Sequence, residues 1–127
     1  MGRIKPELLG VDEKTAMDPR NKAYIKDETT GKCYIIPFGF WSVGRKDDID
    51  VDLPVETQDE YMSRKHANII LRKNIIGENA LYICDTVARK NPTEVDGYRI
   101  GHHYNFQLFD GSTVLMGYTR FTVHLFQ

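Results

Sequence analysis

From Ala23 to the C-terminus the chain is a series of short apolar runs, broken at nearly regular intervals by Gly, Pro, Asn and Asp. Runs this short, separated by turn residues, predict strands, because a helix that buries one face needs roughly ten or more residues of 3.6-residue periodicity. The first two strands fall at 23–26 and 32–38, around the hairpin loop Asp27-Glu28-Thr29-Thr30-Gly31. A third, at 40–43, stops at Gly44. Ile49, Val51 and Leu53 alternate with Asp50 and Asp52, which predicts a strand with one buried and one acidic face. A second hairpin joins 66–73 to 80–85 through Gly77-Glu78-Asn79. Strands at 98–100, 104–108, 113–116 and 121–126 complete the set, separated by Gly101, Asp110-Gly111 and Gly117.

About ten strands of this length suit two packed sheets. The expected fold is an all-β sandwich of two antiparallel sheets with ten to eleven strands and ligand loops at one end. Residues 1–22 have Pro6, Gly10 and Pro19 among scattered charges, and little apolar periodicity beyond Leu8, Leu9 and Val11. They read as an N-terminal arm, poorly structured or with a short helical turn, ahead of a domain at 23–127. Trp41, beside Phe40 at a strand end, is expected in the core.

Composition sharpens this picture. A chain of 127 residues supports one hydrophobic core, so a two-domain enzyme with a cleft between domains is excluded. Ile, Val and Thr number 11, 8 and 9 against 5 Ala, a bias toward pleated structure. The formal net charge of −1 provides no overall positive field, which argues against nucleic acid or an anionic membrane as partner. No stretch approaches the roughly 18 apolar residues that span a bilayer, and the first ten residues lack the apolar segment of a secretory signal. Pro6 stands where a myristoylation motif needs Ser or Thr. A cytoplasmic protein is expected. Cys33 and Cys84 are far apart, each in an apolar run, and read as buried free thiols rather than zinc ligands.

Function is sought in the longest loops, which rigid strands present free of packing duty. Three stand out, at 44–49, 54–64 and 86–94. In order they carry Gly44-Arg45, then Ser63-Arg64-Lys65-His66, then Asn91-Pro92-Thr93 followed by Val95-Asp96-Gly97. In that order on an all-β chain, these motifs resemble the forkhead-associated (FHA) domain, a β-sandwich that binds phosphothreonine peptides through loops at one end. The resemblance runs from Ala23 to Gln127 and includes the late Asp110-Gly111 and Gly117. It implies a phosphothreonine-dependent interaction module with no catalytic activity, no cofactor and no metal. Its partner is a phosphothreonine-containing protein or peptide.

The residue types suit that chemistry. Phosphothreonine presents a near-dianion with three acceptor oxygens beside a methyl group, so its receptor needs a fixed guanidinium, small donors and a shallow apolar niche. Arg45 suits the first role, and Gly44 before it permits an unusual dihedral or a close chain approach. Ser63 offers a hydroxyl, and Arg64 a second cation and a backbone N–H. The resemblance places on Asn91 the reading of the peptide backbone, with Lys90 adding charge. His66 is expected to brace the loop through its ring nitrogens, while Thr93 and Gly97 shape the loop and turn.

Two departures from the family pattern stand out. Pro92 occupies a position usually held by Gly, which removes one N–H and biases Asn91 toward extended conformations. Asp96 replaces the usual Asn, and Asp-Gly serves a type I′ turn nearly as well. Residues 46 to 60 hold seven acids against Lys46 alone. That field either opposes a dianion or selects ligands with basic flanks, and as a solvated face it also discourages edge pairing.

Competing chemistries are weaker. His66 as the base of a hydrolase lacks a G-x-S-x-G nucleophile. His102-His103 would point to opposite faces of a strand, which disfavours a shared metal. The alternative function is a phosphorylation-independent scaffold or oligomerisation module that uses the same fold.

Overall fold

The computed structural model describes residues 9–46, 51–88 and 91–127. Among the described residues, eleven strands follow one short helical turn, α1 (Glu13–Ala16). The strands are β1 (Ala23–Asp27), β2 (Cys33–Ile35), β3 (Gly39–Arg45), β4 (Leu53–Val55), β5 (Ala67–Lys73), β6 (Asn79–Asp85), β7 (Glu94–Val95), β8 (Tyr98–Arg99), β9 (Phe106–Leu108), β10 (Thr113–Met116) and β11 (Thr119–Leu125). They form a six-stranded sheet in the order β2-β1-β11-β10-β7-β8 and a five-stranded sheet in the order β4-β3-β5-β6-β9.

Alternation along the strands builds the core. Ile69 and Leu71 of β5 point inward opposite Ile83 and Leu81 of β6, while Asn68 and Ile70 between them face out. The other sheet answers with Ile25, Val114, Phe121 and Val123, all essentially inaccessible to solvent. Each such aliphatic or aromatic side chain contributes about 1.5–3 kcal/mol by leaving water, so the two inner faces hold the sandwich together.

Several expectations are corrected. One pair is parallel: β3 runs alongside β4, with Val43 opposite Leu53 and Arg45 opposite Val55. Pro54 is tolerated in β4 because β4 is an edge strand and needs no N–H on its outer side. Glu94–Val95, expected as loop and turn, is a strand that hairpins onto β8 through Asp96-Gly97. Both turn residues have positive φ, +50° and +86°, the signature of a type I′ turn. His102 and His103 occupy a bend rather than a strand, so their rings lie side by side with centroids 3.9 Å apart. Cys33 is buried, but Cys84 lies on the outer face of its sheet and is half-buried. Trp41 is half-buried against the core, its Nε1–H donating to the Pro37 carbonyl at 2.8 Å. Ile49, Asp47, Asp48 and Asp50 lie outside the described residues.

Ahead of β1, Val11 bridges Cys33, and Ala16 packs with Tyr24 and Cys33 in a small cluster outside the main core. Asp12 caps the helical turn by accepting from Thr15 N–H at 2.8 Å.

The antiparallel registers bring the ends of β1, β3 and β6 and the starts of β5, β7 and β11 to one end of the sandwich, here called the tip. At the opposite end, the base, the side chain of Gln127 bonds the backbone of Asn79 twice, at 2.7 and 3.0 Å, while Asn79 Nδ2 donates to Phe126 O at 2.8 Å.

Candidate functional site

At the tip, β3 ends in Val43-Gly44-Arg45 against the turn at residues 63–66. A Cβ on Gly44 would stand 2.3 Å from Arg64 O and 2.5 Å from Ser63 O, both rigid backbone atoms. Gly44 is therefore required for close approach of two chain segments, and its φ lies outside the left-handed region. The approach lets Arg45 N–H donate to Ser63 O at 3.0 Å and Arg45 Nε to Met62 O at 3.1 Å. The guanidinium is thus held beside the Ser63 turn rather than swinging on a free stem.

His66 braces the turn from below. It is fully buried, its backbone N–H donates to Val43 O at 2.9 Å, and its Nδ1 accepts from Ser63 N–H at 3.0 Å. An accepting Nδ1 carries no proton, which places the ring proton of the neutral tautomer on Nε2. The three-residue spacing from Ser63 to His66 is thus what closes the turn.

The β6–β7 loop is tied to this turn by Thr86, whose hydroxyl donates to Lys65 O at 2.7 Å. Its far end is held by Thr93, buried at 0% exposure, whose N–H and Oγ1 both bond the Asp85 carboxylate, the hydroxyl at 2.5 Å. Asn91 lies exposed in this loop at the same tip, and Pro92 between Asn91 and Thr93 is half-buried. Lys90 lies outside the described residues. Gly97 is farther off, in the β7–β8 turn at the base end of β7.

The structure thus joins Arg45 to the Ser63 turn by direct hydrogen bonds. It places Arg64 and Lys65 exposed on that turn and brings the loop of Asn91 alongside through Thr86. Arg45, Arg64 and Lys65 gather cationic side chains on and beside the Ser63 turn, next to the hydroxyls of Ser63 and Thr86. Such a set can accept a phosphate dianion. Among the described residues no group of three His, Cys, Asp or Glu is placed to hold a metal ion.

Residues to which the motifs assigned no role in the site also shape this end. Asp59 ties the β4–β5 loop to the β10–β11 turn. Its Oδ2 accepts from Tyr118 N–H and from Thr119 Oγ1, each at 2.7 Å, and its Oδ1 accepts from Tyr61 N–H at 2.9 Å. Burial pushes the Asp59 carboxyl up, but the bonds from Thr119, Tyr118, Tyr61 and Met62 outweigh it and hold the group below the ordinary carboxylate range. Gly117 makes room: a Cβ there would meet Met62 N at 2.6 Å and Asp59 Oδ2 at 2.7 Å. Met62, fully buried, pins the loop into the core. The acids of this stretch are therefore not simply a solvated face. Asp52 accepts from Ser42 N–H at 2.9 Å and from its hydroxyl at 3.1 Å. Glu56 is paired with Lys32 and Lys46, and the Lys32 hydrogen bond is the main cause of its lowered pKa.

The FHA domain family profile matches residues 41–117, which include Gly44, Arg45, the Ser63 turn and the Asn91 loop. The chain belongs to the FHA domain family. Among solved structures it is similar to the FHA domain of a Chlamydia trachomatis protein, with 22% identity and a TM-score of 0.68 over 84% of this chain and 100% of that one. It is also similar to an FHA domain analysed for phosphothreonine-dependent interactions, at 22% identity and TM-score 0.64 over 84% of this chain and 99% of the other. A third is the MEK1 FHA domain in complex with a phosphothreonine peptide of HOP1, at 15% identity and TM-score 0.63 over 83% and 97% of the two chains. At these identities the likeness is one of fold. No curated protein sequence matches the chain.

Proposed function

We propose that this domain is a phosphothreonine-dependent interaction module that captures phosphorylated peptides at its tip and releases them unchanged. Arg45 and Arg64 pair with the phosphate oxygens, the Ser63 hydroxyl donates to a third, and Asn91 bonds the peptide backbone, with Lys90 adding charge. Gly44, His66, Thr93 and Gly97 support the loops that carry them. The observation that carries the proposal is the seating of Gly44 on the carbonyls of Ser63 and Arg64, because it sets the Arg45 guanidinium beside the Ser63 turn. Two FHA domains of the same fold are described with phosphothreonine ligands or phosphothreonine-dependent interactions, which supports the same use here. Cys33 and Cys84 are unpaired thiols, and no described helix is long and apolar enough to cross a membrane. We place the protein in the cytoplasm.

Charge-assisted hydrogen bonds contribute about 1.5–3 kcal/mol each. Three or four of them, less the cost of ordering a flexible peptide, give a Kd of about micromolar. Isothermal titration of a phosphothreonine peptide library tests this. Arg45→Ala and Ser63→Ala are expected to abolish measurable binding while the circular dichroism spectrum stays unchanged, and phosphoserine is expected to bind more weakly than phosphothreonine in the same sequence. Unchanged affinity in both folded variants would overturn the proposal.

A further inference from the structure

Beside the phosphate-reading turn lies a second concavity that the proposed contacts leave unused. A cleft of about 850 Å³ opens between the β1–β2 loop, the first half of the β4–β5 loop and the β10–β11 turn. It shares elements with the candidate site: Lys46 on its wall follows Arg45 directly, and Tyr61 stands two residues before Ser63. A peptide held at Arg45 and Ser63 therefore has this cleft within reach of its flanking side chains.

The lining has a definite chemical preference. Asp27, Glu56, Asp59 and Glu60 face Lys46 alone among its charged residues. Glu56 is matched by Lys32 and Lys46, and Asp59 is engaged by the β10–β11 turn. The others are not matched in this way. Glu60 is exposed, and Asp27 is 1% exposed with Oδ1 accepting from Thr29 N–H at 2.8 Å while Oδ2 has no hydrogen-bond partner among the described residues. A buried acceptor without a donor is a demand that a cationic hydrogen-bond donor satisfies. Tyr61 and Tyr118 form one wall, with ring centroids 4.5 Å apart and planes at 57°, and remain 53% and 75% exposed. Exposed aromatic faces beside carboxylates suit a planar guanidinium, which stacks on rings while its edge donates to oxygen.

We propose that this cleft receives an arginine side chain flanking the phosphothreonine of the ligand, so that the domain reads a phosphate and a guanidinium together. This inference rests on the phosphothreonine proposal for the neighbouring turn. Lysine fits less well because its ammonium offers no plane to stack.

The test compares phosphothreonine peptides carrying Arg, Lys or Ala at each position within three residues of the phosphate. Binding is measured against wild type and the double variant Glu60→Gln, Tyr118→Ala, whose altered side chains are both exposed. At one flanking position Arg is expected to bind about fivefold tighter than Ala, equivalent to about 1 kcal/mol, with Lys intermediate. The double variant should erase that advantage and leave the affinity of the Ala peptide unchanged. Equal affinities of Arg and Ala peptides for wild type at every position, or an Arg advantage that survives in the double variant, would overturn the inference. A second arm stands apart from phosphate. In NMR titrations with acetyl-arginine amide, the Tyr61, Tyr118 and Thr119 amide resonances should shift in wild type and not in the double variant. If no phosphopeptide binds, the phosphothreonine proposal falls and this arm decides the cleft, with unmoved resonances counting against it.

Discussion

Asp59→Ala removes the clamp between the β4–β5 loop and the β10–β11 turn, and its cost follows from the three bonds it breaks. Thr119 is only 5% exposed, so its hydroxyl loses its acceptor at 2.7 Å where water reaches it poorly. A buried polar group left unsatisfied costs about 1–3 kcal/mol. The amides of Tyr118 and Tyr61 are near solvent and re-bond to water, so each adds only about 0.5–1 kcal/mol. The expected destabilisation is about 2–5 kcal/mol, a fall in Tm on the order of 10 °C for a domain of this size. Urea unfolding at pH 7 measures it as a lower midpoint with unchanged slope. The pH dependence has a definite sign. The folded-state pKa of Asp59 lies below the ordinary value of 3.8, so its stabilisation is fully present above the unfolded pKa and is lost as pH falls through the folded one. The gap between wild type and variant should therefore stay constant from about pH 7 to pH 5 and shrink below about pH 4. A destabilisation under about 0.5 kcal/mol at pH 7, or a gap that widens on acidification, would refute the reasoning.

Gly44→Ala should lose phosphopeptide binding and at least about 2 kcal/mol of stability, because backbone carbonyls at 2.3 and 2.5 Å cannot yield as a side chain could; titration and urea melts on the same sample read both. Thr93→Val keeps the shape of the buried site but removes the hydroxyl bond to Asp85, and is expected to cost about 2–3 kcal/mol by thermal unfolding. Cysteine labelling with a disulfide reagent at pH 8 should modify Cys84 well before Cys33. Burial pushes the Cys33 thiol up to about 11 and leaves it 0% exposed, whereas Cys84 is half-buried; equal rates would contradict the packing around β2.

Much of this fold is legible because burial has a period of two along a strand. The run at 113–116 carries that alternation throughout and the run at 67–73 carries it as far as Arg72, and the structure pairs both as strands. What was not legible depends on partners distant in sequence. Glu94–Val95 is too short to show a period and follows Pro92, so only its pairing with β10 and β8 makes it a strand. The parallel pairing of β3 with β4 leaves no local trace. At the tip, Gly44, Arg45 and the Ser63-to-His66 spacing stand out as motifs; the bond within the Ser63 turn follows from local geometry, whereas those joining Arg45 to that turn bridge residues far apart along the chain. Asp59 and Thr86 do not stand out, and Gly117 does so only as a turn residue of the family pattern, without its contact to Asp59. Their roles arise from contacts such as Asp59 to Thr119, sixty residues apart along the chain, and an aspartate among seven acids gives no sign of which one is a clamp.

The latch between Gln127 and Asn79 fixes Gln127 at the pole opposite the binding loops. A tether or fluorescent fusion attached after Gln127 therefore emerges on the far side. Immobilised through that handle on a sensor chip, the domain presents Arg45 and Ser63 to the flowing analyte without steric shadow, whereas random lysine coupling would consume Lys46 and Lys65 at the tip itself.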